Sequence, residues 1–319
     1  MPHFDVFNGD ADGICALLQL RLAQPRDAEL ITGVKRDIKL LSQVKGQADS
    51  LVTVLDISMD KNHDALLAVL ADGAQVFYCD HHFAGDMPQH ANLETLINTA
   101  PDTCTSLLIN QYLNGAYANW AIVAAYGDNI LTGAEALADQ QGLSQTQRET
   151  LKALGIAINY NGYGASLADL HITPAELFKR LLAYPDPLEF AESKNSLYQT
   201  LLANYQADLD KVKTAQLVHE SPTGRIYQLP NQAWARRISG VWGNDLANER
   251  QNLAHAVLTD LDQGGYLVSV RAPKNNPLGA DELCRQFATG GGRKAAAGIN
   301  NLPNDELQRF ITTFEQTFS

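Results

Sequence analysis

Thiol pairs, basic stretches and long apolar runs are all scarce in this sequence. The four cysteines, Cys15, Cys79, Cys104 and Cys284, lie far apart and none forms a C-x-x-C pair. That spacing argues against disulfides and against a zinc–thiolate site. The longest apolar runs, such as WAIVAA at 120–125, are far too short to cross a bilayer, so no membrane partner is expected. The N-terminal MPHFDVFNGD has neither the basic start nor the apolar core of an export signal, and a reducing cytoplasm is the expected compartment. Positive charge is short too: 24 Lys and Arg against 36 Asp and Glu give a formal net charge of −12. Proteins that coat long nucleic acid usually show a basic face, so no long nucleic acid is expected as a partner. A small anionic substrate stays open, because a few metal ions or arginines reverse the potential locally.

What is present is an ordinary globular composition, 45% hydrophobic and 19% charged over 319 residues, long enough for two domains. In the first third, strand-like and helix-like segments alternate. HFDVF (3–7), AELITGV (28–34), SLVTVLDI (50–57) and AQVFYC (74–79) read as strands; GICALLQLRLA (13–23) and NHDALLAVLADG (62–73) read as helices. Continuous apolar strands alternating with helices predict an α/β fold with a parallel sheet covered on both faces. Such sheets bind ligands at the C-terminal ends of their strands.

The middle, roughly 104–215, reads as mostly helical. HITPAELFKRLLAY (171–184) carries a start signal: Thr173 as N-cap, Pro174 at the first helical position and Glu176 completing a capping box. Two prolines break AYPDPLEF (183–190), and 196–216 reads as a long amphipathic helix. The last hundred residues form a smaller α/β pattern, with strands at 224–230, 254–261 and 264–272 and helices at 280–288 and 305–318. The expected division is 1–190, a helical linker over 191–220, and 221–319.

Acidic residues follow the early apolar runs. Asp10 and Asp12 come after HFDVF, Asp56 after SLVTVL, Asp80-His81-His82 after AQVFYC, and Asp128 after AIVAAYG. Singly, each has a plain explanation. NGDADG suits an Asx-rich turn, Asp56 and Asp128 suit a loop cap and a solvated helix end, and two adjacent histidines suit one core and one surface position. Together, on parallel strands, they converge on one sheet edge. Crowded carboxylates repel and suppress one another's ionisation. Divalent cations relieve that conflict, and oxygen ligands with one or two imidazoles suit manganese or magnesium. The glycine-rich TGGGRKAAAG (289–298) is not a Walker A loop, since Ala295 follows Lys294 where Ser or Thr is required. Its glycines would let backbone amides approach a phosphate.

FNGDADGICA, VLDIS, CDHHF and AAYGDN resemble the four successive motifs of the DHH phosphoesterases. GADELCRQFATGGGRKAAAG (279–298) resembles the signature of the DHH-associated domain. The resemblance spans residues 4–298 and is specific for the family but weak for substrate. It implies metal ligation by Asp10, Asp12, Asp56, His81 and Asp128, with Asp12 and Asp56 bridging two Mn²⁺ ions; Mg²⁺ is the alternative ion. Asp80 would orient a histidine and His82 would meet the scissile phosphate or the leaving oxygen. Position eight departs from the pattern: Asn8 stands where members carry an acid or a histidine, and an amide oxygen binds metal more weakly. Substrate contacts would come from Arg271 and from Gly290, Gly291, Gly292 and Arg293; Arg293 replaces the usual histidine but binds phosphate regardless of pH.

The resemblance, the acidic charge and the lack of an added basic module together favour a phosphodiesterase acting on very short linear oligoribonucleotides. Dinucleotides such as pGpG are the leading substrates, nucleoside monophosphates the products, and a cleft between the two domains would measure length. The alternatives are a phosphomonoesterase for 3′-phosphoadenosine 5′-phosphate or a similar small phosphate, a cyclic-dinucleotide phosphodiesterase, and a nucleotide-binding sensor with a degenerate site. Nothing in the sequence speaks against a homodimer.

Overall fold

The computed structural model describes residues 1–45, 48–193 and 196–319. These divide into two compact units, residues 1–205 and 206–319. Residues 194 and 195, inside the expected linker, lie outside the described residues.

The first unit begins with β1 (His3–Phe7), α1 (Ala11–Ala23), β2 (Glu29–Ile31), β3 (Leu51–Leu55), α2 (Met59–Ala71), β4 (Gln75–Asp80) and β5 (Leu93–Ile97). All five strands are parallel, in the order β2-β1-β3-β4-β5. Because side chains alternate across a strand, each central strand feeds two cores. Phe7, Leu55 and Cys79 face one side, Val6, Val54 and Tyr78 the other. The second side is closed by Leu66, Val69 and Leu70 of α2 and by Leu40 and Leu41 of a short 3₁₀ turn. The first side is closed by α1 and by the helices that follow: α3 (Thr105–Tyr112), α4 (Ala118–Gly127), α5 (Leu131–Gln140), α6 (Gln145–Asn161), α7 (Pro174–Leu181), α8 (Pro187–Glu192) and the start of α9 (Ser196–Lys211). Every residue of α1 from Ala11 to Arg21 is buried, as befits a helix enclosed on all sides. In α7 the Thr173 hydroxyl accepts from the Glu176 N–H. The expected capping box is not completed, because the Glu176 carboxylate accepts from Arg180 Nε at 2.7 Å instead.

The second unit holds β6 (Gln216–Ser221), β7 (Gly224–Leu229), α10 (Ala233–Glu249), β8 (Ala254–Asp260), β9 (Tyr266–Arg271), α11 (Ala280–Cys284), β10 (Gly290–Arg293), β11 (Ala296–Leu302) and α12 (Leu307–Phe318). Its sheet runs β10-β11-β9-β8-β7-β6; only β7 and β8 pair in parallel. Phe310 and Phe314 of α12 pack with Ile226, Leu258, Val268 and Val270 to form its core. No helix among the described residues is long and apolar enough to cross a membrane.

Candidate metal centre

The strand order reverses around β1, so the chain leaves the C-terminal ends of β1 and β3 in diverging directions. A crevice at such a switch point is where parallel sheets bind ligands. Asp10 caps α1: its Oδ1 accepts from the Asp12 and Gly13 amides at 3.0 and 3.1 Å. Asp12, fully buried, is held at both oxygens by the first turn of α3, accepting from Ser106 N at 2.7 Å and Thr105 N at 2.8 Å. A helix N-terminus favours negative charge at this place. Asp56 follows β3 in the left-handed region, with φ of 59°, a conformation that Asp tolerates better than most residues and that recurs at functional sites. Asp80 ends β4, wholly buried, with Oδ1 bonded to His82 Nδ1 at 2.8 Å.

Asp128 reaches the site from a helix and not from a strand end: AIVAAYG, within the stretch read as mostly helical, is the body of α4, and Asp128 is the C-cap of that helix. The run lacks a helical period because α4 is buried on nearly every side.

His81 Nε2 lies 3.8 Å from Asp12 Oδ2, 3.5 Å from Asp56 Oδ1 and 3.6 Å from Asp128 Oδ2. None of these is a hydrogen bond. They leave room for a cation between the atoms, since ligands about 2.1 Å from an ion stand from about 3.0 Å apart when adjacent to about 4.2 Å when opposite. Asp12, His81 and Asp128 form one group able to hold a metal ion, and Asp56, His81 and His82 form another. The buried Asp80 Oδ2 has no hydrogen-bond partner.

The electrostatics agree with a cation-seeking site. Burial, then the charges of Asp12, Asp10 and Asp128, push the Asp56 carboxyl well above the usual carboxylate range. Asp128 is also raised, chiefly by burial. The hydrogen bond to Asp80 raises the His82 imidazole above its ordinary value.

The site contains residues that the sequence reading missed. Lys35, in the segment after β2, places Nζ 2.5 Å from Asp10 Oδ2, 3.0 Å from Asp128 Oδ1 and 3.0 Å from Asn159 Oδ1. Burial opposes its charge, but the two carboxylates hold the ammonium well above lysine's usual range. Thr105 Oγ1 donates to Asp56 Oδ1 at 3.3 Å. Asn8 Nδ2 donates to the Lys35 carbonyl at 3.1 Å, while its buried Oδ1 has no partner. No motif marks Lys35, Thr105, Ser106 or Asn159; the only local hint was the position of Lys35 just beyond a strand, in a sheet whose strand ends matter.

The remaining predicted residues lie in the second unit. Arg271 ends β9, its guanidinium bonded to Asn244 Oδ1 at 2.6 Å, Ser269 Oγ at 2.9 Å and the Gly240 carbonyl at 3.0 Å. Gly290, Gly291 and Gly292 are not an open loop: with Arg293 they form β10, in a hairpin with β11. Two of the three glycines have structural reasons. A Cβ at Gly290 would lie 1.7 Å from the Cys284 carbonyl oxygen, and Gly292 has φ of 141°. A Cβ on Gly291 would meet nothing, and Arg293 is exposed.

Three solved structures resemble the chain along its length. Exonuclease RecJ bound to manganese superposes with a TM-score of 0.67 at 18% identity, over 99% of this chain and 89% of that one. A DHH-domain protein described as a member of the s1p family of ribosomal proteins gives 0.66 at 14%, over 99% and 86%. The pGpG-specific phosphodiesterase PggH from Vibrio cholerae gives 0.56 at 12%, over 99% and 100%. The chain has the DHH fold. No protein-family model and no curated protein matches the sequence. On the DHH fold the acidic cluster stands at the C-terminal edge of the parallel sheet, as the strand-end reading expected for Asp10, Asp12, Asp56 and the Asp80-His81-His82 run.

Proposed function

We propose that the chain is a metal-dependent phosphodiesterase of the DHH family that cuts very short linear oligoribonucleotides, pGpG foremost, to nucleoside monophosphates. The observation that carries the proposal is His81 Nε2 facing oxygens of Asp12, Asp56 and Asp128 at 3.5–3.8 Å, with no hydrogen bond among them. These residues, from four separate segments, would hold a divalent cation, Mn²⁺ or Mg²⁺. When bound, such an ion polarises a phosphoryl oxygen and makes a bound water acidic near neutral pH.

The chain's own residues supply the rest. The Thr105 and Ser106 amides orient Asp12 by donating to both of its oxygens. Asp80 fixes the His82 ring through Nδ1, which leaves Nε2 as the nitrogen to donate to the leaving oxygen. The raised affinity of His82 for its proton favours that role. Arg271 and Arg293 would bind substrate phosphates, and Gly291 would give a backbone close access to them. A short substrate is supported by the net charge of −12 and by the full-length likeness to a pGpG-specific phosphodiesterase.

The test is a panel of pGpG, longer RNA, a cyclic dinucleotide and 3′-phosphoadenosine 5′-phosphate, each with Mn²⁺. Mononucleotide release from pGpG, abolished in Asp56→Ala and in the double variant His81→Ala, His82→Ala, is the expected result. Release of inorganic phosphate would select the monoesterase reading. Tight binding without turnover would select a sensor. Full activity in the variants would overturn the metal assignment.

A further inference from the structure

The two-ion expectation meets an obstacle in the structure. Asp10 and Asp128 do not wait for a divalent ion: the Lys35 ammonium lies between them, 2.5 Å from Asp10 Oδ2 and 3.0 Å from Asp128 Oδ1, with Asn159 Oδ1 as a third acceptor at 3.0 Å. These three bonds match the three donors of an ammonium. The ring of Tyr163 stands 5.9 Å away, close enough to favour a cation as well.

Nor is Lys35 a free arm that happens to fall into the cluster. Its backbone is tied at both ends. The amide donates to the Gly162 carbonyl at 2.8 Å, and the carbonyl accepts from Asn8 Nδ2 at 3.1 Å. Gly9 lets the two loops close: a Cβ there would lie 1.9 Å from the Gly33 carbonyl oxygen. Asn8 is the position that departs from the family motif. A carboxylate in its place could not donate to the Lys35 carbonyl, since both groups are acceptors. Asn8 and Lys35 are therefore two parts of one arrangement, in which the residue that would help bind an ion instead fastens a lysine.

We propose that Lys35 is a built-in monocation standing where a second divalent ion would bind, so that this centre takes up one divalent ion, at Asp12, Asp56, His81 and Asp128. Asp128 serves both cations, with Oδ1 toward Lys35 and Oδ2 toward His81. The two groups able to hold an ion share His81, and a second divalent ion placed between Asp10 and Asp128 would have to displace or sit against a fixed positive charge in a poorly screened setting. The inference rests on the metal-centre reading above but can fail without it.

The experiment is ion stoichiometry on the full chain, stripped with chelator and then dialysed against saturating MnCl₂. Bound manganese is read by atomic emission, and its electronic state by electron paramagnetic resonance. The wild type is expected to bind about one ion per chain and to give the signal of isolated Mn²⁺. Lys35→Ala is expected to bind about two, with a signal from an interacting pair. Lys35→Gln removes the charge while keeping two donors, and is the variant to read if Lys35→Ala does not fold; it too is expected to gain an ion. Asp56→Ala should lose the wild-type ion. Two ions in the wild type would overturn the role given to Lys35 and leave the metal centre standing. One ion in the wild type and in both Lys35 variants would also overturn it. No ion in any of them would overturn the metal-centre reading itself.

Discussion

Five aspartates gather around His81, His82 and Lys35, and no two are held in the same way. Asp10 caps a helix, Asp12 accepts from the start of another, Asp56 is set by a left-handed backbone, Asp80 is tied to His82, and Asp128 ends α4 beside Lys35. Different supports fix each carboxylate in its own orientation. Asp80 is the one whose single visible bond goes to a histidine, so its contribution is separable. Asp80→Asn should lower kcat on pGpG about 10- to 100-fold, the usual effect of removing a carboxylate that orients an active-site imidazole. KM and the number of bound Mn²⁺ ions should change little; loss of the ion would make Asp80 a ligand. At this scale much was legible. Asp10, Asp12, Asp56, His81, His82 and Asp128 were found because each follows an apolar run. Lys35 and Asn159 were not, because their roles depend on contacts between Lys35 and residues 93 and 124 positions further along the chain rather than on local pattern.

Among the elements, the central strands β1, β3 and β4 were readable as unbroken apolar runs, because both their faces are covered. β5 was not, since it lies at the sheet edge and Glu94 and Thr95 are exposed. The apolar run of α4 gave no helical period, and β10, built of Gly290, Gly291, Gly292 and Arg293, carries no strand signature at all. β8 is buried along nearly its whole length, yet carries His255. Burial, with Arg225 and Arg250 nearby, lowers that imidazole from 6.5 to about 4. The unfolded chain therefore binds a proton between these values that the folded chain does not. Stability rises with pH through that window, so it is complete above the unfolded value and falls as pH drops from 6.5 toward 4. The loss should be about 2–3 kcal/mol. Urea unfolding followed by the fluorescence of Trp234 and Trp242 at pH 7 and at pH 4.5 measures it. His255→Leu should reduce the difference between the two pH values by about that amount; an unchanged difference would mean that His255 is protonated in the fold.

For the molecule as a whole, charge and function are unevenly shared. Every residue proposed to bind metal belongs to the unit formed by residues 1–205, whereas Arg271 and Arg293 belong to the other. The chain's acidic balance was legible and argued against long nucleic acid. The choice of substrate was not, because no run of residues reads bases. The first unit buries carboxylates that folding brings together, and Asp56 in particular resists ionising there. Binding a cation to the folded state alone relieves that repulsion and stabilises the unit by mass action. At Mn²⁺ a hundredfold above its dissociation constant the gain is about 2.7 kcal/mol. Amide hydrogen exchange should therefore slow on adding Mn²⁺ for the protected amides of residues 1–205, around β1, β3, β4 and α4 above all, and chelator should reverse the change. Exchange in residues 206–319 should stay as it was. Equal slowing in both units would place some of the cation's ligands outside the first, and faster exchange around β1 and β3 would mean that the cation prefers the unfolded chain.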